Sequence, residues 1–137
     1  MSDPTAELLS EVRGFIADVN SGNASDAIQR LTEDVCIVED IAPFRWTGTE
    51  AGGQWLAAMG ANAQRLGVTA ITMNPGEAQR IEIEGNYGYC IVPGMVLLER
   101  KGTALREDGL ITFAMQFEGE QWRISALIWT GNRPTEA

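Results

Sequence analysis

The sequence predicts an α+β protein in which three N-terminal helices pack on a strongly curved, mixed and mainly antiparallel sheet. Apolar residues recur at helical spacing up to Gly67. After Gly67 the period changes to two, and β-branched and aromatic residues become frequent. Turn dipeptides at 85–86, 101–102 and 119–120 then join the later strands as hairpins. The expected layout is three helices and one strand, followed by four long strands.

Capping signals set the first two helices. Asp3 followed by Pro4 predicts an N-cap with proline in the first turn, and "NSG" at 20–22 ends that helix. Asn23 is the predicted cap of a second, shorter helix. The apolar face of the first helix consists of Leu8, Val12, Phe15, Ile16 and Val19.

The third helix begins after "TGTE" at 47–50, which fits a capping box with Thr47 as the cap. Gly67 ends it. Its apolar residues are Trp55, Leu56, Met59, Ala63 and Leu66.

The strands are predicted from alternation and turn residues. The first is "EDVCIVED", and the later ones occupy 68–84 with a bend at 74–77, 87–100, 103–118 and 121–130. Pro93-Gly94 and Asp108-Gly109 fall inside strands, where such residues predict bulges or strong bending. We therefore expect the sheet to wrap around a helix.

Composition excludes several classes of function. The 137 residues carry a net charge of −9, and an acidic surface repels phosphate backbones, so nucleic acid is not an expected partner. The chain has no histidine, which excludes Ser-His-Asp and Cys-His sites and histidine-ligated metals. Cys36 and Cys90 lie in apolar stretches and are interpreted as small buried hydrophobes. Glu39, Glu82 and Glu84 are interpreted as solvated charges, so neither metal nor cofactor is predicted.

The length fits one domain spanning residues 1–137 with a sizeable core. No apolar run approaches the ~20 residues that cross a bilayer. The acidic start lacks the basic and apolar regions of a secretory signal. We expect no membrane segment and a cytoplasmic location.

The order of elements, with the tract "LTEDVCIVED…F…W.G.EA", resembles the NTF2-like superfamily of α+β cones, which includes SnoaL-like and ketosteroid isomerase-like proteins. The likeness extends over nearly the whole chain and includes the closing "EGEQWRISALIW". It implies a conical apolar pocket between helices and sheet, and dimers that form through the sheet. The superfamily hosts several chemistries and non-enzymatic binders, so it implies the fold more firmly than the function.

Within that superfamily, "CIVEDIAP" resembles the segment that carries the catalytic aspartate of ketosteroid isomerases. The resemblance implies that Asp40 is a general base. Those enzymes also use a tyrosine and a protonated aspartic acid as an oxyanion hole. Phe15 and Phe113 stand at the matching positions and cannot donate hydrogen bonds, and losing one such donor typically costs ~10² to 10³ in rate. Identical steroid chemistry is therefore not expected.

Aromatic and apolar side chains are the candidate lining of the pocket. The predicted ligand-binding residues are Phe15, Phe44, Trp46, Trp55, Met59, Tyr87, Tyr89, Phe113 and Met115. Ordinary core packing remains the alternative for each of them. The candidate donors opposite Asp40 are Tyr87, Tyr89, Trp46, Trp55 and Arg45. Arg45 has a second interpretation, an ion pair that makes Asp40 structural.

The last strand bears on association. Strict alternation puts Trp122 and Trp129 on opposite faces, so one of them faces outward beside Arg123, Ser125 and Leu127. An exposed tryptophan and leucine on a sheet face suit a homodimer interface.

Three functions remain open. The first is a cofactor-independent isomerase, dehydratase or cyclase-like enzyme that uses Asp40 as base on an apolar carbonyl compound. The second is a non-catalytic protein that binds a small hydrophobic molecule. The third is a dimeric interaction protein built on the same scaffold.

Overall fold

The computed structural model describes residues 3–137, and its helices and strands follow the predicted α+β layout. The helices are α1 (Pro4–Asn20), α2 (Ala24–Gln29) and α3 (Ala51–Leu66). The strands are β1 (Leu31–Val38), β2 (Arg45–Thr47), β3 (Val68–Pro75), β4 (Arg80–Glu84), β5 (Tyr87–Arg100), β6 (Thr103–Glu118), β7 (Gln121–Gly131) and β8 (Thr135–Glu136). None of the helices in the described residues is both long and apolar enough to span a bilayer.

The strands form one mixed sheet, as predicted. The order is β2-β1-β7-β6-β5-β3, with β4 also paired to β5 and β8 to β6. The β1–β7 pair is parallel, and the other pairs are antiparallel. Because β3 and β4 pair with successive parts of β5, the predicted bend at 74–77 separates two strands on one edge.

The predicted roles of Asp3 and Gly67 at helix ends are confirmed, and Asn23 precedes α2 as predicted but makes no side-chain capping bond. The Asp3 side chain accepts a hydrogen bond from the Thr5 backbone N–H at 3.0 Å, and Gly67 ends α3 with φ of 74°. The capping box at Thr47 is wrong. Thr47 pairs with Cys36 in the β1–β2 ladder, so α3 starts three residues later, and its cap residue Glu50 makes no side-chain capping bond.

One face of the sheet packs against the helices, and we call it the inner face. Leu8 of α1 lies so close to Gly88 that a Cβ there would sit 2.5 Å from its Cδ1. Cys90 and its cross-strand partner Phe113 lie on the same face, 0% and 1% exposed. The buried core also includes Val12, Phe15, Ile16, Val35, Ile37, Trp46, Trp55, Val92, Met115, Trp122, Ile124 and Leu127.

A β-bulge in β7 overturns the expected placement of the two tryptophans. Ala114 pairs with Ala126 but the next residue of β6, Met115, pairs with Ile124, so Ser125 is an extra residue. An extra residue reverses the alternation beyond it. Trp122 and Trp129 therefore share the inner face, and the prediction of opposite faces is wrong.

Pro93-Gly94 and Asp108-Gly109 are predicted to mark bulges or strong bending, and the pairing of β5 with β6 tests the bulges. Gly94 pairs with Gly109 in an unbroken ladder, so neither marks a bulge. A Cβ at Gly94 would lie 3.2 Å from the Trp129 ring, and one at Gly109 would lie 2.6 Å from it. These glycines make room for a large side chain on the inner face.

Three exposed apolar side chains lie on the outer face of the sheet. Tyr87, Leu97 and Ile128 are 68%, 41% and 39% exposed. By contrast, Leu127 is only 3% exposed, so the surface expected from Trp129 and Leu127 does not exist in that form. The bulge at Ser125 turns those two side chains inward.

Candidate active site

Glu39 continues the inner face of β1. Val35 and Ile37 are 1% and 0% exposed, and Glu39 is the next residue of the same parity. Its side chain is half-buried, and Trp55 Nε1 of α3 donates to its Oε1 at 3.4 Å. The Glu39 backbone N–H bonds to the carbonyl of Phe44 at 3.2 Å, which closes the turn to β2.

The surroundings of Glu39 favour its protonated form. Burial raises its pKa from 4.5 to about 7, because an ionised carboxylate is poorly solvated there. The negative charges of Asp40 and Glu107 act in the same direction. Hydrogen bonds from the Trp55 indole and the Asp40 backbone N–H partly oppose the rise in pKa. Glu39 thus exchanges its proton near neutral pH.

Asp40 lies in the turn after β1 with an exposed side chain. The ion pairs within residues 3–137 do not join it to Arg45. From the sequence, the carboxylate with apolar walls is expected at Asp40, and Glu39 is expected to be solvated. The structure reverses these surroundings, because the inner positions of β1 are odd-numbered.

A second inner-face carboxylate comes from β6. Trp129 Nε1 donates to Glu107 Oε2 at 2.9 Å, and both side chains are half-buried. Burial raises the pKa of Glu107, the hydrogen bond from Trp129 opposes the rise, and the charge of Asp40 adds to it. Glu39, Asp40 and Glu107, with the indoles of Trp55 and Trp129, form what we call the carboxylate–indole site.

Three glycines surround Trp129 in this site. Besides Gly94 and Gly109, a Cβ at Gly131 would lie 2.6 Å from Trp129 Nε1 and would also collide with Glu107 Oε2. Met73 of β3 lies beside Gly94, with its sulfur 2.9 Å from a Cβ placed there. The Trp129 indole thus packs over backbone, because none of the three glycines has a side chain.

The predicted aromatic lining fills the space between helices and sheet. Phe15 stacks on Trp55 with ring centroids 5.9 Å apart and meets Phe113 edge-on at 6.4 Å. Trp46 and Met115 are also buried. In the described structure these side chains pack against one another as core. Whether they also contact a ligand stays a prediction.

The other predicted lining residues are dispersed. Met59 is half-buried against the core, whereas Phe44 is 58% exposed in the turn before β2. Tyr87 and Tyr89 lie on the outer face, because their neighbour Cys90 is the inner partner of Phe113. The two tyrosines therefore lie on the opposite face of the sheet from Glu39, and their role as donors to a substrate held by Asp40 stays a prediction.

Two surface cavities flank the fold. The larger, about 520 Å³, is an open groove lined by Asn74, Pro75, Gly76, Gln79, Pro93, Gly94, Met95, Asp108, Gly109 and Leu110. The smaller, about 250 Å³, lies between α1 and the β6–β7 turn and is lined by Glu7, Ser10, Glu11, Glu120, Gln121 and Trp122. Neither lining includes Glu39 or Glu107.

Sequence reasoning missed Glu39, Glu107 and Trp129 as site residues. The signal for Glu39 was available, since alternation continues from Val35 and Ile37. Glu107 likewise has the parity of Phe113. Trp129 had no such signal, because the bulge that turns it inward is visible only in the pairing. Across residues 3–137, no group of three or more cysteine, aspartate or glutamate side chains is arranged to hold a metal ion.

Comparison with known proteins supports the fold. No family model matches the chain, and no curated protein matches it. A candidate scytalone dehydratase from Novosphingobium aromaticivorans DSM 12444 superposes with a TM-score of 0.78 at 10% identity, covering 96% of this chain and 86% of that one.

A ketosteroid isomerase-like protein from Erwinia carotovora atroseptica SCRI1043 gives a TM-score of 0.78 at 9% identity, covering 98% of this chain and all of the other. An NTF2-like protein with a cystatin-like fold from Novosphingobium aromaticivorans gives 0.75 at 15% identity, with 92% and 80% covered. At these identities the likeness concerns the fold. The chain therefore has the NTF2-like, cystatin-like α+β cone fold that its sequence predicted.

Proposed function

We propose that the protein is a cofactor-independent isomerase or lyase that removes a proton from the carbon next to a carbonyl group of a small apolar compound, with Glu39 as general base. The observation that carries this proposal is the Glu39 side chain. It is a half-buried carboxylate on the inner face of the sheet, bonded by the Trp55 indole.

The environment of Glu39 suits a general base. A base is most effective when its pKa lies near the working pH, since it is then both ionised and strongly basic. Burial puts the pKa of Glu39 at about 7. The hydrogen bond from Trp55 Nε1 to Oε1 fixes one carboxylate oxygen and leaves Oε2 to take the proton. Ile37, on the same face of β1, and the Trp55 ring, whose N–H bonds Glu39, are apolar surroundings that suit an apolar substrate.

Asp40, the base expected from the resemblance, remains the rival for that role. It is adjacent to Glu39 and its charge raises the Glu39 pKa, so it contributes even as a neighbour. Its side chain is exposed in the turn after β1, whereas the Glu39 side chain lies on the inner face, where an apolar substrate would be sheltered from water. Separate substitutions of the two residues distinguish these roles.

The scaffold agrees with this class of chemistry. One structural neighbour is described as ketosteroid isomerase-like and another as a candidate scytalone dehydratase. Isomerisation of a carbonyl compound and elimination of water both begin when a carboxylate or other base removes a proton from carbon. The fold likeness supports the reaction class but not a particular substrate.

A non-catalytic binding protein is the second candidate. It is favoured by the aromatic packing of Phe15, Trp55 and Phe113 and by the absence of hydrogen-bond donors on the two phenylalanines. In either case we propose a cytoplasmic homodimer through the outer face. The dimer would cover Ile128 and Leu97, which are 39% and 41% exposed.

Hydrogen–deuterium exchange at carbon tests the enzyme proposal. A panel of cyclic enones and ketones is incubated with the protein in D2O, and NMR follows exchange at the α- and γ-carbons. We expect Glu39→Gln to lower exchange by ~10² or more, which is the usual contribution of a general base. Asp40→Asn should lower it only a few-fold.

Glu84→Gln is the matched control, since Glu84 is exposed on β4 away from the site. A strong loss in Asp40→Asn with little change in Glu39→Gln would move the role of base to Asp40. Absence of exchange, with tryptophan fluorescence still reporting binding, would support the non-catalytic protein.

A further inference from the structure

The two long helices on the inner face of the sheet, α1 and α3, are held in different ways. Buried residues are spread along most of α1, namely Leu8, Val12, Phe15 and Ile16. In α3 the buried residues are confined to 51–55, namely Ala51, Gly52 and Trp55. Because packing against the rest of the protein supplies most of the stability of a helix, α3 is fixed more firmly at its start than along its remaining length.

The end of α3 is held by hydrogen bonds rather than by burial. Arg100 Nε donates to the Leu66 carbonyl at 3.2 Å, and the Lys101 backbone N–H donates to the Gly67 carbonyl at 3.1 Å. Between the two attachments, each of residues 56–65 is half-buried or exposed. We call residues 56–65 the middle segment of α3. This segment is held at both ends and only loosely between them.

Gly60 weakens the middle segment further, because glycine loses more conformational freedom in a helix than any other residue. Other glycines of these helices are required by packing. A Cβ at Gly14 would lie 2.6 Å from the Arg30 guanidinium, and one at Gly52 would lie 2.7 Å from Leu31 Cδ1. Within residues 3–137, no heavy atom lies within 4 Å of a Cβ placed at Gly60. Packing in the described structure therefore does not account for this glycine.

The middle segment continues the helical wall beside Glu39. Met59 follows Trp55 by about one helical turn and packs half-buried against the core. Trp55 in turn donates to Glu39 and stacks on Phe15. These aromatic rings occupy the space next to the carboxylate, so a small molecule can leave water there only when part of the wall moves. Of the two helices that form the wall, α3 is the one with a loosely held middle.

We propose that residues 56–65 of α3 are a lid, which unfolds locally at Gly60, admits a small apolar molecule beside Trp55 and Glu39, and refolds over it. The attached ends, 51–55 and 66–67, stay in place. Lids are drawn from the least stable parts of native structures, since they must open without global unfolding. The inference rests on the proposed function for what enters, and it applies equally to an enzyme and to a binding protein.

Amide hydrogen exchange, followed residue by residue by NMR, tests the opening itself. The amides of residues 60–64 should exchange at least ~10-fold faster than those of residues 12–16 in α1, because the lid opens without global unfolding. Gly60→Ala should slow the exchange of 60–64 by about fivefold, which corresponds to the difference in helix propensity between the two residues.

Gly53→Ala is the matched control. Gly53 is exposed on the same helix, and no heavy atom of residues 3–137 lies within 4 Å of a Cβ placed there. It belongs to the attached start of α3, which stays folded when the lid opens. Gly53→Ala should therefore leave the exchange of residues 60–64 unchanged, although both variants add the same methyl group to α3.

Binding of hexafluorobenzene, a neutral apolar probe, tests admission. Its association and dissociation rate constants are measured by ¹⁹F NMR. Entry and exit both require an open lid, whereas the free and the bound protein are both closed. In Gly60→Ala both rate constants should therefore fall by about fivefold while Kd stays the same, as expected from the lower population of the open state. Gly53→Ala should change neither rate constant.

The outcomes separate the lid from the proposed function. Equal slowing of the amides of 60–64 in Gly60→Ala and Gly53→Ala would overturn the lid, since α3 would then open as one unit. Unchanged binding rates in Gly60→Ala, a change in Kd alone, or no binding of the probe would overturn the role in admission. Carbon exchange that depends on Glu39 would in each case leave the proposed function standing. A lid that opens and admits the probe, without any carbon exchange, would overturn the general base and support the lid on a binding protein.

Discussion

Trp122 and Trp129 lie on the same face of one strand, and each sits close to inner-face glycine, yet their surroundings differ. Trp122 is 3% exposed, meets Phe117 edge-on at 5.3 Å and lies 3.4 Å from a Cβ placed at Gly88. Trp129 is half-buried, rests on Gly94 and Gly109, and directs its N–H to a carboxylate.

The difference shows how one structural device serves two purposes. At Gly88 the missing side chain admits Leu8 from α1, so helix, sheet and Trp122 close into an apolar layer. At Gly109 the missing side chain leaves room for Trp129 of the same sheet. The indole N–H of Trp129 then donates a hydrogen bond to Glu107. The space at Gly88 thus extends the apolar core around Trp122, and the space at Gly109 positions the Trp129 indole against a carboxylate.

The largest expected effect on stability comes from removing the Trp122 ring from the apolar layer. Trp122→Ala should cost about 3–5 kcal/mol in the free energy of unfolding, because it removes a fully packed ring and leaves a cavity. Trp129→Ala should cost clearly less, since half-burial leaves part of its ring in water already. Urea unfolding followed by circular dichroism measures both. Equal losses of stability in the two variants would mean that Trp122 and Trp129 do not differ in how well they are packed.

The second effect concerns how stability depends on pH. The native pKa of Glu39 is about 7 against an ordinary 4.5, so between these values the native state binds more protons than the unfolded chain. Stability should therefore be highest below pH 4.5 on this account and fall as pH rises to 7, by up to about 3 kcal/mol.

Glu39→Gln should remove this fall, so it should be more stable than the parent protein at pH 8 but not at pH 4.5. Urea unfolding at both pH values provides the measurement, and Glu84→Gln is the control for losing one exposed charge. The account fails if the two Gln variants respond identically to pH.

Adding a side chain at Gly109, next to the Trp129 ring, should have an intermediate effect on the free energy of unfolding. A Cβ at Gly109 would collide with the Thr130 carbonyl and lie 2.6 Å from the indole, and neither can move freely. Gly109→Ala should cost about 1–3 kcal/mol by overpacking. It should also shift the fluorescence of Trp129 as the ring leaves Glu107.

Gly88→Ala sharpens this comparison. Its closest contact is the flexible end of Leu8, at 2.5 Å, which can move aside. We expect a smaller cost than at Gly109, measured by the same unfolding experiment. A larger loss of stability in Gly88→Ala than in Gly109→Ala would show that the packing around Trp122 is more rigid than the packing around Trp129.

The smallest effect compares neighbours on opposite faces of β6. Asp108 bonds Arg106 through both carboxylate oxygens, but the two side chains are 60% and 50% exposed. Asp108→Asn should therefore change the free energy of unfolding by only about 0–1 kcal/mol. It should leave carbon exchange unaltered, in contrast to Glu39→Gln. A strong loss of exchange in Asp108→Asn would place function on the outer face.

Much of the fold could be predicted because its signals are local. The side chain of Asp3 caps α1, Gly67 ends α3 with positive φ, and hairpin turns separate the last strands. The failure at Thr47 has a tertiary cause, since pairing with β1 draws that residue into a strand. The resemblance also gave the correct fold, which the structural neighbours confirm.

The candidate site was less predictable. The sequence alone determined that a carboxylate follows β1 and that aromatic residues belong to the core, since these depend on residue type and spacing. Alternation from Val35 and Ile37 already indicates that Glu39 lies inward, whereas only the tertiary structure decided that Trp129 joins Glu107. The physical reason is that register between strands selects the face of every side chain, and one extra residue at Ser125 reverses that choice for the rest of β7.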